Sequence, residues 1–543
     1  MGGDVSPANT RNRRVEAGVT WKGGFRLNPW TFFPSIAVIG VFLVLGVAFT
    51  ELTEAVFEVI QDGIVTTFGW FYIAAVSFFL FFVVALLFSP YSRVRLGPDG
   101  SRPEYSYASW FAMLFSAGMG IGLVFFSVAE PIFHYLAPPT MEGGTTAAAR
   151  EAMRLTFFHW GIHAWAIYIV VGLSLAYFSF RKGLPLAIRS AFHPLLGDRI
   201  HGPIGNTIDT FAIFGTMFGV ATSLGLGVMQ VNAGLSYLAP IEISTTVQIL
   251  LIAGITAIAT VSVVLGLDRG IRRLSNFNMV VALVLILFVF IAGPTTFLLD
   301  AWVENTGLYL QSLVQSSFWI DAYGDGEWLG DWTLFYWGWW IAWSPFVGLF
   351  IARISRGRTM REFIVGVLLV PTALTTFWLT VFGNTALHRE VLGAGGVATG
   401  GATEEEMLFT MLQGLPLSAV TSVLAILVII NFFVTSSDSG SLVIDMLASG
   451  GDPDPPAAQR VFWALTEGAV AAVLLLAGGL MALRTAAITT GLPFAIVLVV
   501  MCWSLFTALR RERREREDAG RGEGARSRGT EERRREVGST AGG

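Results

Sequence analysis

The sequence predicts an all-α integral membrane protein that crosses the bilayer twelve times. Three observations predict it. Of 543 residues, 54% are hydrophobic and only 14% are charged, against about 25% charged in a soluble domain, so the chain cannot cover itself with a water-facing shell. Apolar runs of the roughly 20 residues needed for a span recur twelve times. None alternates apolar and polar residues as a membrane strand must, so the spans are helices.

In order, the runs lie near 32–50, 68–88, 108–136, 155–179, 206–238, 246–267, 277–299, 332–353, 361–383, 416–446, 458–482 and 487–508. Several are long enough to predict tilt or a break. Lys and Arg in short loops set orientation. Arg11, Arg13, Arg14, Lys22 and Arg26 precede the first span, and every second loop is basic: Arg93 and Arg95, Arg181 and Lys182, Arg269 to Arg273, Arg353 to Arg361, and the tail from Arg510. The loops between read ELTEAVFE, PPTMEGG, LAPIEIS and GATEEE. Both termini are therefore expected in the cytoplasm, with the chain in the cell membrane. The first 28 residues are polar and carry no apolar run, so no cleavable signal peptide is expected. The single cysteine, Cys502, excludes an intrachain disulfide framework, and a net charge of −4 argues against a nucleic-acid partner. The tail at 510–543 alternates Arg with Glu. It reads as a solvated extension with a frayed helix at its start, or as a charged helix that senses anionic lipid or ionic strength.

The third span carries Ser116-Ala117-Gly118-Met119-Gly120-Ile121-Gly122. Each glycine weakens a helix by about 1 kcal/mol relative to alanine, although Gly118 and Gly122 also form a GxxxG face of the kind that packs helices together. In the eighth span, Pro345 lacks an N–H and should kink or open the helix near Ser344. These two interruptions are five spans apart, which points to a transporter built from inverted five-helix repeats. The chain then divides into a cytoplasmic tail (1–29), two extra helices (30–107), a first repeat (108–300), an extracellular linker with an amphipathic helix (301–331), a second repeat (332–509) and the charged tail (510–543).

Unwound backbone in a membrane is tolerated where it lines a cavity, and freed carbonyls around 116–122 suit a hard cation. The tenth span adds Thr435, Ser436 and Asp438, which otherwise read as interhelical hydrogen bonds and a pair with a basic residue. Trp160, Trp165 and Tyr168 fall within about a 140° arc of one helix face. Trp339, Trp340 and Trp343 stand beside Pro345. Aromatic faces with no carboxylate beside them suggest a cage for a quaternary ammonium ion. Such an ion has no N–H to donate, and each desolvated ring attracts it by about 2 kcal/mol or more; the alternative is ordinary aromatic packing. His159 and His163 have the spacing of a helical metal pair, but no Glu or Cys accompanies them, so they read as packing or hydrogen-bonded histidines.

The motifs GMGIGLVFFSVAEPIFHY at 118–135, HWGIHAWAIY at 159–168, FYWGWWIAWSPFVGLFIARISRGR at 335–358 and NFFVTSSDSGS at 431–441 resemble those of the betaine/choline/carnitine transporter family, from about Trp30 to Leu509. The resemblance implies a LeuT-like fold with two additional N-terminal helices, assembly as a homotrimer, and alternating access. It implies a substrate cage of Trp160, Trp165, Tyr168 and Trp340, with Trp339 and Trp343 lining the inner pathway and Ile121 and Gly122 touching the substrate. One sodium site would comprise the backbone of Ser116 and Met119 with Phe432, Thr435 and Ser436. A second would use two hydroxyls a turn apart on the fifth span with an aromatic of the eighth. Thr216 and Phe346 match, but Val220 stands at the other position, which shifts the ligand to Thr222 or Ser223.

Proton-coupled choline carriers of the family have an acid where Gly122 stands, and sodium-independent carnitine exchangers have an arginine where Met279 stands; this chain has neither. The resemblance thus implies sodium-coupled uptake of a zwitterionic osmolyte such as glycine betaine, with its carboxylate held by backbone N–H groups. The alternative is the same fold carrying choline, carnitine, ectoine, proline or a sulfonium compound, with proton coupling or exchange. A channel is disfavoured by the lack of a repeated pore loop or charged ring. An enzyme is disfavoured by the sparse intramembrane acids.

Overall fold

The computed structural model describes residues 25–540, apart from 119, 266–270, 325, 394 and 398–399. Among the described residues all regular structure is helical, with one isolated bridge between Arg95 and Thr359. Eleven helical segments are long and apolar enough to cross a membrane. The sixteen-residue helix Ile121–Leu136 joins Tyr107–Gly118 to make the broken third span, so twelve are accounted for.

The chain enters through α1 (Pro29–Ala48), capped by the Asn28 side chain, which accepts from the Trp30 N–H, with Pro29 in the first turn. Phe49 alone separates it from α2 (Thr50–Phe88). The acidic stretch 51–62, expected as a loop, is helical: it lacks Gly and Pro and is rich in good helix formers. Next come α3 (Tyr107–Gly118) and α4 (Ile121–Leu136), parted at 119–120, then α5 (Thr146–Trp160) and α6 (Ile162–Ala176). The fourth span, expected as one helix, is thus interrupted at Gly161 (φ −89°, ψ −146°). A β-carbon there would collide with Tyr309 Oη and the Phe157 carbonyl oxygen, so glycine admits a close approach.

The long α7 (Pro203–Leu238) is followed by α8 (Thr245–Leu265), α9 (Ile271–Ala292) and α10 (Thr295–Phe318). The last buries Leu298, Ala301, Asn305, Tyr309 and Ser316, a helical stripe that presses the linker onto the bundle. A π-helical stretch, Gly330–Leu334, leads into α11 (Phe335–Ile354). Here the structure corrects the sequence: α11 runs unbroken through Ser344 and Pro345. Proline denies Ile341 its usual N–H donor, but the Ser344 hydroxyl donates to that carbonyl at 2.7 Å, so the helix keeps its course.

Thr359 and Glu362 form a capping box at the start of α12 (Met360–Leu379). A π-helical turn at Thr380–Asn384 joins it to α13 (Thr385–Leu392). The chain ends with α14 (Ser418–Ala448), α15 (Ala457–Leu476) and α16 (Gly479–Thr540). The tail is therefore helical well beyond its start, as a continuation of the twelfth span.

The helices that carry the aromatic motifs lie deepest. Of the most apolar stretch in each segment, 94% is buried in 146–181, 89% in α7 and 83% in 327–354, against 28% in α1 and 33% in α9. The loops with basic residues gather at one end. Arg95 donates to the Gly357 carbonyl at 2.8 Å, Arg181 binds Asp99 and Glu512, and Arg26 pairs with Asp452. Arg484, near the start of α16, pairs with Glu404 of the loop between α13 and α14.

Candidate functional site

The break at Gly120 and the unbroken α11 face each other across an aromatic cluster. Gly120 has extended backbone (φ −153°, ψ 178°), and no side chain caps α4. The first N–H groups of this helix thus lack the partners a cap would give, and its positive end faces the break. A β-carbon at Gly122 would strike the Trp339 indole. Glycine therefore lets that ring lie on the first turn of α4. Ile121 is buried and packs against α7 at Gly227.

Trp160 ends α5, Trp165 and Tyr168 stand on α6, and Trp339 and Trp340 on α11; all five are buried. Trp160 meets Trp340 edge-on with ring centroids 4.8 Å apart. Tyr168 approaches Trp340 at 6.4 Å and Trp165 at 5.4 Å, both edge-on. Trp340 stacks on Trp339 at 4.8 Å and 15°. The four cage candidates therefore form one cluster although Gly161 interrupts the helix between Trp160 and Trp165. Trp343 is half-buried and packs edge-on against Phe346 at 5.1 Å.

One expectation is overturned here: a carboxylate does stand beside the rings. Glu130 of α4 is fully buried. Its Oε2 accepts from Trp160 Nε1 at 2.7 Å and from Tyr336 Oη at 2.5 Å, and its Oε1 meets His159 Nδ1 at 2.6 Å and His134 Nε2 at 3.3 Å. The Thr333 hydroxyl lies 3.0 Å from the other nitrogen of His159, and Trp340 Nε1 donates to the His159 carbonyl at 2.9 Å. So a Glu does accompany His159. Glu130, His134 and His159 bring their ligand atoms within 4.8 Å of one another, a spacing that could hold a metal ion, yet Glu130 is already engaged by indole, phenol and imidazole donors. His163 is separate: its Nε2 is 2.8 Å from Ser317 Oγ and its ring stacks on Trp337. The signal for Glu130 was present in the sequence, since an ionisable residue inside a span is a functional candidate by default.

Of the first sodium set, Met119 lies outside the described residues, and Ser116 and Gly118 are placed only as backbone in the last turn of α3. On α14, Phe432 is buried and Thr435 and Ser436 are half-buried. The Thr435 hydroxyl donates to the Asn431 carbonyl at 2.9 Å. Asp438 is fully buried and accepts from Ser262 Oγ at 2.9 Å. Of the second set, Thr216 is buried with its hydroxyl on the Ala212 carbonyl at 2.8 Å, and Phe346 is half-buried. Val220 packs against Gly440. Thr222 turns towards α16, where its hydroxyl donates to the Leu483 carbonyl at 3.1 Å. Ser223, seven residues after Thr216, returns to within about 20° of the same helix face, and its hydroxyl rests on the Gly219 carbonyl at 3.2 Å.

Comparison with known proteins places the chain among transporters. The sequence model of the betaine/carnitine/choline family of transporters matches residues 30–514. An uncharacterized transporter of Mycobacterium tuberculosis is 52% identical over 489 residues, covering 89% of this chain and 82% of the relative. The glycine betaine transporter OpuD of Bacillus subtilis is 47% identical over 487 residues, covering 89% and 95%. A glycine betaine/proline/choline/ectoine transporter of Vibrio parahaemolyticus is 44% identical over 504 residues, covering 90% and 89%.

Proposed function

This chain belongs to the betaine/carnitine/choline transporter family and is a multi-pass membrane transporter, not an enzyme; from that premise we propose that it takes up glycine betaine, coupled to sodium. The observation that carries the reading is the cluster of Trp160, Trp165, Tyr168 and Trp340 beside a broken helix. A trimethylammonium group offers no N–H, so aromatic faces are the partners suited to it. The betaine carboxylate would meet the uncapped start of α4 at Ile121 and Gly122, where free N–H groups and the helix dipole favour an anion. The relatives named as glycine betaine transporters support this substrate.

In this reading one sodium sits between the backbone of Ser116 and Met119 and the side of α14 bearing Phe432, Thr435 and Ser436. A second takes Thr216 and Phe346, with Ser223 in place of the hydroxyl that Val220 lacks. Each sodium carried down a 100 mV potential supplies about 2.3 kcal/mol, roughly fiftyfold accumulation. The two five-helix halves, inverted with respect to each other, would open the cage to one side of the membrane at a time, and both termini would lie in the cytoplasm, with the subunits assembled as a homotrimer.

Radiolabelled glycine betaine uptake into proteoliposomes tests the reading. An inward sodium gradient should drive accumulation, and uptake indifferent to that gradient refutes the coupling. A competition panel of choline, carnitine, ectoine and proline ranks the alternatives, because the Vibrio parahaemolyticus relative is named for several such substrates.

A further inference from the structure

Glu130 lies at no position assigned to the substrate, yet it holds two rings around the cage directly and a third through His159. Trp160 and Tyr336 donate to one oxygen, and the Trp340 indole is tied to the backbone of His159, whose imidazole is on the other oxygen. An indole N–H can only donate. With four groups pointing at its two oxygens, Glu130 has its acceptor sites filled, and a proton on either oxygen would force one contact to reverse. An ionised Glu130 satisfies all four contacts, with the indole, the phenol and both imidazoles donating. The second nitrogen of His159 meets the Thr333 hydroxyl at 3.0 Å, and the second nitrogen of His134 has no hydrogen-bond partner. Among the described residues, no Lys or Arg is ion-paired with Glu130. Arg484, which lies over the Trp332 and Phe335 rings, is paired with Glu404 at 3.1 Å.

The Glu130 carboxylate at the indole N–H of Trp160 stands directly behind a cage ring, in an interior where charges act strongly. It polarises the indole, adds to the negative potential of its face, and fixes the plane that face presents. We propose that Glu130 is a positioning and specificity residue: it makes the cage prefer a cationic headgroup over an uncharged one of the same shape. This inference rests on the cage reading of Trp160 and Trp340 and adds to it the origin of the charge preference.

The test compares two ligands on the full-length protein in proteoliposomes. One is glycine betaine. The other is 3,3-dimethylbutanoate, which carries a tert-butyl group where betaine carries trimethylammonium, scored by its inhibition of betaine uptake. Thermal unfolding verifies that each variant is folded. In Glu130→Gln the apparent affinity for betaine should fall by about tenfold or more while that for the isostere changes by less than about threefold, so the ratio between them collapses. Glu130→Asp, which keeps the charge, should restore part of the ratio. Equal losses for both ligands would reduce Glu130 to a structural role and overturn the proposal, as would no change in either. Should the Gln variant not fold, Tyr336→Phe runs the test in reverse. It leaves Trp160 as the sole indole or phenol donor on Oε2, so the preference for betaine should hold or rise, and a fall overturns the proposal. Trp340→Ala separates the two levels. If it leaves betaine affinity unchanged, the cage reading itself fails. If it weakens betaine while Glu130→Gln leaves the ratio intact, only the inference about Glu130 fails.

Discussion

Replacing Trp340 by alanine is the most direct challenge to the cage. Its ring is buried, 4.8 Å from Trp160 and 6.4 Å from Tyr168, and its indole N–H is fixed on the His159 carbonyl at 2.9 Å. One desolvated ring contributes about 2 kcal/mol to a bound quaternary cation, which corresponds to roughly thirtyfold in dissociation constant. Truncating so large a buried side chain also costs about 3–5 kcal/mol of stability, so a loss of uptake alone would prove little. Trp340→Phe separates the effects, since it keeps a ring in the stack on Trp339 while giving up the bond to His159. The expected order of betaine KM in proteoliposomes is wild type, then Phe at roughly three- to tenfold higher, then Ala at roughly thirtyfold. A folded Ala variant with unchanged KM refutes the reasoning. So does a Phe variant that binds betaine less well than Ala, because the ring and not the space it fills is held to attract the cation.

Gly161→Ala should lower the melting temperature sharply, through an overpacking cost of about 1–3 kcal/mol, because its β-carbon meets Tyr309 Oη and the Phe157 carbonyl; a differential scanning measurement in detergent decides it. Ser223→Ala should raise the sodium concentration for half-maximal uptake by roughly tenfold, the worth of one bond to a charged group; an unchanged sodium curve removes Ser223 from the second site. The tail is docked by Arg181, which bonds both Glu512 and the carboxylate of Asp99, and by Arg516 on Asp99. The Arg181 guanidinium, aided by Arg516, holds the Asp99 carboxyl below its usual range. A depressed carboxyl stabilises docking above the ordinary carboxylate value and loses that effect as pH falls through the depressed one. Protease cleavage of the tail should therefore be flat from about pH 8 to 5 and rise below about pH 4. Added salt should have a similar effect at neutral pH, since Asp99 is exposed.

The spans were legible because the bilayer dictates their length and forbids unsatisfied backbone; composition and run length were enough. The ring cluster was legible for a different reason. Trp160, Trp165 and Tyr168 are close in sequence, so even with Gly161 breaking the helix between them they could not be carried far apart. Glu130 was illegible as a partner of these rings because its contacts join residues 30 and 206 positions away, a matter of tertiary packing that local periodicity does not encode. Gly161 was missed for the same reason: the group that requires it, Tyr309, arrives from another segment. Pro345 was misread because the rule concerns the donor that proline removes, while the outcome depends on whether the freed carbonyl finds another. Ser344, one residue earlier, supplies it.

That last point changes where motion belongs. With α11 continuous, Trp339 and Trp340 ride on a stiff rod, as do Trp165 and Tyr168 on the buried α6. The irregular backbone near the rings lies instead at Gly120, at Gly161 and at the π-helical stretch Gly330–Leu334 that precedes α11. Each of these adjoins an element that carries a cage ring or Glu130. If the ring cluster is the proposed cage, its walls would have to stay together through the change of access while something beside them bends. On the proposed reading, a hinge at Ser344, between Trp340 and Phe346, would part the rings from the proposed second sodium ligands, whereas breaks at Gly120 and ahead of α11 would not. Bending at Gly120 would leave Trp160, Glu130 and Trp340 joined by the same hydrogen bonds, because Glu130 lies beyond that break on α4.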